Sequence, residues 1–319
     1  MLTIYKAGSA PLQWQPGTVT PPSPAPIWLD LLAPTEDERA EGERLLGAKL
    51  PTREQSSAIE LSNRLRSQEQ RVRVNVPTFV RDEGGQGATT PLSFVLTPTL
   101  LVSVRYAASE AFDLEAQNLA GHDAPDNSVC IFVDLIETIV NVDADRMEAV
   151  AGSLSRLARS VFSDTKDHRN RLRAALFKVG AMQREIIQIR STQLGISRLL
   201  TYLCDSRHPW IDKDEYAQLA IAHKDVDALA EFDQQLSDRI QFVLDAVLGF
   251  INNDQNDIMK LLTVITVVTI PPMILAGIWG MNFKSIPEYD WPHGYAFGLS
   301  MIVLSMLIPL AILKWKRWF

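Results

Sequence analysis

The sequence predicts an α+β protein: an N-terminal cytoplasmic α/β domain, then long stalk helices continuing into two C-terminal transmembrane helices. Three observations carry this. Strand signals are confined to the part before Ser128, helical spacing runs almost uninterrupted after it, and two charge-free stretches, Leu261 to Phe283 and Tyr295 to Leu313, close the chain. At ~1.5 Å per residue these stretches make helices ~34 Å and ~28 Å long, each enough for the ~30 Å hydrocarbon core of a bilayer.

In chain order, the Pro-rich segment Pro11 to Pro26 reads as an irregular entry and Ile27 to Leu31 as a buried strand. Pro34-Thr35-Glu36-Asp37-Glu38 reads as a helix start, its acids near the positive end of the helix dipole. Alternation in Arg71 to Val76 gives a half-exposed strand, and Leu92 to Leu96 with Thr99 to Val104 a hairpin around Thr97-Pro98. Helical spacing then runs from Ser128 through Val161, from Asp164 to about Asp205, and from Asp212 with no Pro or Gly until Gly249. No stop separates this last helix from the first span, so it is expected to run unbroken to Gly280 as a helix ~100 Å long.

Composition and charge orient the chain. Hydrophobic residues make up 46% of it, an ordinary value for a soluble protein, because the apolar excess lies in the C-terminal part. The residues before Lys260 suit a water-exposed domain with one good core or two small ones. Cys130 and Cys204 are the two cysteines, which suggests reduced thiols and no disulfide framework. Met1 to Lys6 is mixed, with no apolar run behind it, so no export signal is expected. Lys260 precedes the first span, and Lys314, Lys316 and Arg317 follow the second, which puts both termini in the cytoplasm; the expected location is the inner (plasma) membrane. With the four basic and two acidic residues after position 260 set aside from totals of 31 and 38, the cytoplasmic part carries 27 against 36, a net charge of −9. Such a domain repels nucleic acid and attracts cations.

The first span carries a pattern of its own. Asn256, Met259, Thr263, Thr266, Ile270, Met273, Gly277 and Gly280 recur at intervals of three and four and trace one mixed seam. Leu261, Val264, Val268, Pro271 and Leu275, on the opposite side, are entirely apolar and suit lipid or the second span. Small residues also serve close helix packing, so periodicity alone leaves a pore seam and a packing seam both open. Two spans cannot enclose an aqueous path by themselves, so any transport requires an oligomer with this seam inside. Pro271-Pro272 removes two backbone donors, leaving a carbonyl near Val267 or Val268 unpaired.

Gly280-Met281-Asn282-Phe283, then Ile286-Pro287-Glu288-Tyr289, Trp291 and Gly294-Tyr295, resembles the CorA family of divalent cation channels, whose loop typically reads GMNF, M-P-E-L, W and G-Y. Ile27 to Leu31, Gly249-Phe250-Ile251-Asn252 with Gln255-Asn256, and the basic, aromatic C-terminus extend the likeness over nearly the whole chain. It implies a homopentamer passing Mg²⁺, often with Co²⁺ or Ni²⁺. The implied layout is a cytoplasmic α/β domain over residues 1–127, a helical stalk over 128–260, a pore-lining span over 261–283, an extracytoplasmic loop over 284–294, a second span over 295–313 and a basic tail over 314–319.

The site residues follow from the same resemblance. Gly280, Met281 and Asn282 form the selectivity mouth, where five Asn282 amides would accept hydrogen bonds from the water shell that Mg²⁺ gives up reluctantly. Asn282 at a helix end also suits a C-terminal cap. Asn256, Met259, Leu262, Thr263, Thr266, Ile270, Met273 and Gly277 match the pore-facing series, and Glu288 and Asp290 would raise the cation concentration at the outer entrance. Asp225 and Asp227 occupy the stalk region of a regulatory Mg²⁺ site. Its other half departs from the pattern, with Ser56-Ser57-Ala58 where an acid is usual, which leaves Glu60 or Asp30 as substitutes.

Neither span holds an ionisable residue, which favours a passive channel over a proton-coupled carrier. The alternative within the superfamily is a ZntB-like Zn²⁺ transporter, whose loop tends to carry Gly-Gly-x-Pro where this chain has Lys284-Ser285-Ile286-Pro287. A third reading is a membrane-tethered cytosolic sensor. No enzyme is expected, and no organic cofactor: the chain offers no glycine-rich phosphate loop, no metal-spaced His and Cys cluster and no Ser, His and Asp arrangement.

Overall fold

The computed structural model describes residues 1–6, 9–17, 24–57, 65–68, 70–81, 87–119, 127–163, 168–281 and 287–316. Residues 1–163 and 175–243 form one compact unit, and residues 164–174 and 244–319 a second.

The first unit is built on a seven-stranded sheet. Its strands are β1 (Leu2–Lys6), β2 (Leu12–Gln13), β3 (Pro26–Leu32), β4 (Leu65–Gln68), β5 (Arg71–Arg81), β6 (Gly87–Leu96) and β7 (Leu101–Arg105). Their spatial order is β2-β1-β3-β7-β6-β5-β4. All neighbours pair antiparallel except β3 and β7, which run parallel from Trp28↔Leu101 to Leu32↔Arg105. The expected strand at Ile27 to Leu31 and the hairpin around Thr97-Pro98 are present. Thr97 closes that turn, its hydroxyl donating to the Leu100 carbonyl and accepting from the Leu100 N–H.

Alternation along the strands divides the core in two. Trp28, Val72, Val74, Val76, Leu92, Phe94 and Leu96 point to one face, while Leu29, Leu31, Val95, Val102 and Val104 point to the other. Leu46 and Leu50 cover the second face. Leu46 belongs to α1 (Glu36–Leu46), which starts where the sequence places it: Thr35 caps it, Glu38 completes a capping box, and Gly47 ends it in the left-handed conformation. A short helix, α2 (Arg53–Ser57), lies against β5 and β6.

The first face is covered by helices. These are α3 (Glu110–Leu119), α4 (Ser128–Val161), α5 (His168–Ser206) and the N-terminal part of α6 (Lys213–Trp279). Asn127 caps α4 by accepting from the Cys130 N–H. One continuous cluster joins Val74, Phe94 and Trp28 of the sheet to Ile131, Phe132 and Ile136 of α4, Ile196 and Leu200 of α5, and Leu219 and Ala222 of α6. Phe132 meets Phe94 edge to face at 5.3 Å. The packing thus runs across residue 127 without a break, because the strongly apolar first half of α4 has to bury itself on the sheet.

In the second unit, α6 continues through Pro271 and Pro272 to Trp279. A 3₁₀ turn over Pro287–Asp290 leads to α7 (Gly294–Trp315), the second span. Both helices are long and apolar enough to cross a membrane.

Candidate cation path

The first span has a covered side and an open one. Val264, on the apolar side, is buried at 9% exposure, and Val268, Pro271 and Leu275 are half-covered, whereas Leu261 at the start of the span is open. On the mixed seam Thr263 is half-covered, and Asn256, Met259, Leu262, Thr266, Ile270, Met273 and Gly277 are all exposed in the single chain. Ile265 on one flank between these two sides, and Ile274 with Ile278 on the other, are exposed apolar residues, as lipid or a neighbouring helix requires.

The two threonines of the seam have defined polarity. The Thr263 hydroxyl donates to the Met259 carbonyl at 2.7 Å, and the Thr266 hydroxyl to the Leu262 carbonyl at 2.8 Å. With their protons committed to the helix, both oxygens turn lone pairs outward and act as acceptors. An acceptor at this place suits the O–H groups of a hydrated cation. Helix α6 passes through the prolines without interruption, so the carbonyls of Val267 and Val268 lack the N–H groups that residues 271 and 272 would otherwise supply.

At the C-terminal end of α6 Gly280 donates its N–H to the Ala276 carbonyl, and Met281 to that of Ile278. A Cβ on Gly280 would stand 3.1 Å from the Ala276 oxygen, so the helix end is tight at this residue. Asn282, the centre of the expected mouth, lies outside the described residues, as do Phe283 to Ile286. Beyond them Glu288 is half-exposed and Asp290 exposed. The loop is locked by Gly294, where an added Cβ would come 2.0 Å from the Glu288 carbonyl oxygen. That requirement was not legible, because it depends on where the 3₁₀ turn brings the chain back; the Gly-Tyr pair was the only signal.

The regulatory candidates belong to the first unit. Asp225 and Asp227 are both exposed on α6. Burial, then the nearby charges of Asp134 and Asp225, push the Glu137 carboxyl up. Among the described residues, no three His, Cys, Asp or Glu side chains gather closely enough to hold a metal ion. Asp30 is committed elsewhere. Only 2% exposed, it forms a buried pair with Arg105 at 2.8 Å and accepts from the Ser103 hydroxyl, which itself accepts from the Trp28 indole. Arg105 also lies over the Phe112 ring. Ser56 is buried too, donating to the Thr52 carbonyl and accepting from Ser93. Ala58 and Glu60 lie outside the described residues.

One buried carboxylate escaped the sequence reading. Asp143 of α4 is 2% exposed, holds Arg146 loosely at 3.4 Å, and keeps its second oxygen buried with no hydrogen-bond partner. Burial pushes its carboxyl up to about 7 against the pull of Arg146. Its signal was available: it interrupts the apolar stripe Ile136, Val140, Met147, Val150 and Leu154.

Comparison with known proteins gives a consistent answer. A family model described as CorA-like Mg²⁺ transporter protein matches residues 24–317. The magnesium transport protein CorA of Yersinia pseudotuberculosis is 27% identical over 293 residues, 92% of this chain and 92% of that protein. The magnesium transport protein CorA of Salmonella typhimurium is 28% identical over 297 residues, again 92% of each. Among solved structures, the complete CorA magnesium transporter from Methanocaldococcus jannaschii shares the fold with a TM-score of 0.73, covering 100% of this chain and 99% of that one at 15% identity.

Proposed function

The chain belongs to the CorA family of Mg²⁺ transporters, and from that premise we propose that it is a passive channel admitting Mg²⁺, with Co²⁺ and Ni²⁺ as further cargo. It works as a homopentamer in the inner membrane with both termini cytoplasmic. One observation carries the reading: the mixed seam of α6 stays open in the single chain, while most of the apolar side opposite is covered. Five such seams around an axis enclose a path that one chain cannot. Asn256, Thr263 and Thr266 meet the water shell of the ion, and Met259, Leu262, Ile270 and Met273 narrow and dry the path when it is closed. Gly277 lets the helices approach, Gly280 lets the backbone turn tightly at the mouth, and Met281 positions that mouth without touching the ion, since a thioether is a poor partner for a hard cation.

Asn282 accepts hydrogen bonds from the hydrated ion at the entrance, and Glu288 and Asp290 concentrate cations there. Entry down an inside-negative potential releases ~4.6 kcal/mol per 100 mV for a divalent ion, so no coupled ion is needed. Asp225 and Asp227, both exposed on α6, supply one half of a regulatory cation site that an adjacent copy completes.

The test is Mg²⁺ entry into liposomes under an inside-negative potential, followed with a trapped indicator, for wild type and Asn282→Ala. Potential-driven entry that Asn282→Ala abolishes or makes unselective is expected. Absence of Mg²⁺ entry, or Zn²⁺ entry that follows a pH gradient, overturns the proposal.

A further inference from the structure

A cleft of about 530 Å³ opens between the outer turns of α6 and α7, lined by Ala276, Trp279, Gly280, Glu288, Tyr295 and Gly298. Its size lies in the range of small-molecule sites, ~300–1,000 Å³. The hollow exists because three of these residues are Gly or Ala. The Trp279 ring stands 3.7 Å from where a Cβ on Gly298 would be, so the indole forms one wall and the bare backbone the other. The cleft reaches inward to Ile302, about two helical turns below Tyr295.

Its position and chemistry specify an occupant. Trp279 and Tyr295 close the two spans at their outer ends, the level at which aromatic side chains meet lipid headgroups. Glu288 lines the same rim, and below it the lining is apolar or aromatic. An acid above an apolar hollow fits an amphiphile with a cationic head and an alkyl tail, and the bilayer supplies one. A primary ammonium donates up to three hydrogen bonds to a carboxylate, a choline head donates none, and a glycerol phosphate head is repelled. We propose that this cleft binds one ethanolamine phospholipid, its ammonium on Glu288 and its upper acyl chain against Trp279 and Gly298; assignment to the extracytoplasmic leaflet rests on the orientation proposed above. The negative rim that concentrates metal cations thus also draws an organic one.

Native mass spectrometry of the full chain in mild detergent, with phosphatidylethanolamine, phosphatidylglycerol or phosphatidylcholine added, tests the site. Wild type is expected to retain about one phosphatidylethanolamine per chain with about tenfold preference over the other two, the worth of one charge-assisted hydrogen bond. Glu288→Gln loses that preference, and Gly298→Leu loses the lipid. Ala276→Leu fills the hollow from the other helix, so the test stands even where Gly298→Leu does not fold. Equal retention of the three headgroups, or undiminished retention in both filled variants, overturns the proposal. So does a filled variant that breaks up the oligomer, since a second copy of the chain then occupies the cleft. Mg²⁺ entry measured in parallel separates the two claims: a protein that keeps its lipid but passes no Mg²⁺ sinks the channel reading alone.

Discussion

Replacing Asp143 with asparagine removes a buried carboxyl that titrates near pH 7 instead of at its ordinary 3.8. Between those two values the folded chain holds one proton more than the unfolded chain, so this group makes stability fall as pH rises through the window and leaves it level above. The difference of about three pH units corresponds to a ceiling of ~4 kcal/mol at pH 8. The amide of the variant has no charge to bury. It also gives up the loose Arg146 contact, but Arg146 keeps Glu110 at 3.6 Å and the Phe79 ring at 4.9 Å. A net gain of ~1–3 kcal/mol at pH 8 is therefore expected for Asp143→Asn, with little change at pH 5. The assay is the melting temperature of the detergent-solubilised chain at pH 5, 6, 7 and 8, followed by tryptophan fluorescence. At ~2–4 °C per kcal/mol, the variant should melt several degrees above wild type at pH 8 and show a flatter pH profile. Parallel profiles, or a variant less stable than wild type at pH 8, would refute the reasoning.

Three further outcomes are expected. Gly294→Ala forces a Cβ to within 2.0 Å of the Glu288 carbonyl unless the loop moves, so Mg²⁺ entry should be lost; full entry with an unchanged melting temperature would contradict this. Arg105→Met leaves the buried Asp30 without its counter-charge, a loss of ~3–5 kcal/mol, or roughly 10 °C in melting temperature; a shift under about 2 °C would show that the pair is replaceable. Thr266→Val keeps the shape of the seam and deletes an oxygen whose proton is bonded to its own helix, so Mg²⁺ entry should drop several-fold with melting unchanged, and Thr266→Ser should restore it. Entry at the wild-type rate in the valine variant would count against the seam as the path.

Local patterns were readable wherever they settle a structure by themselves. The extent of α4, the unbroken run of α6 into the membrane and the Thr35 cap of α1 all follow from spacing and end chemistry within a few residues. Strand β1 was missed because its pattern spans only Leu2 to Lys6, and its pairing partner β3 lies more than twenty residues away. Asp30 shows the same limit from the other side: an acid that looked free to sense a cation is claimed by Arg105, 75 residues later in the sequence. At the candidate site the motif pointed to the loop and the three-and-four spacing to the mixed seam, and their role in carrying an ion stands as the proposal above. The threonine hydrogen bonds and the close approach at Gly294 arise only once the backbone is in place.

The inward commitment of the Thr263 and Thr266 protons also bears on anions. Chloride needs donors in exchange for its hydration shell, and at these two turns the hydroxyls offer none. A ring of such oxygens in the proposed assembly therefore sorts ions by sign without placing a fixed charge at membrane depth. The span avoids the cost of burying a carboxylate in hydrocarbon, and it avoids a deep electrostatic trap that would hold a divalent ion too long to let it pass.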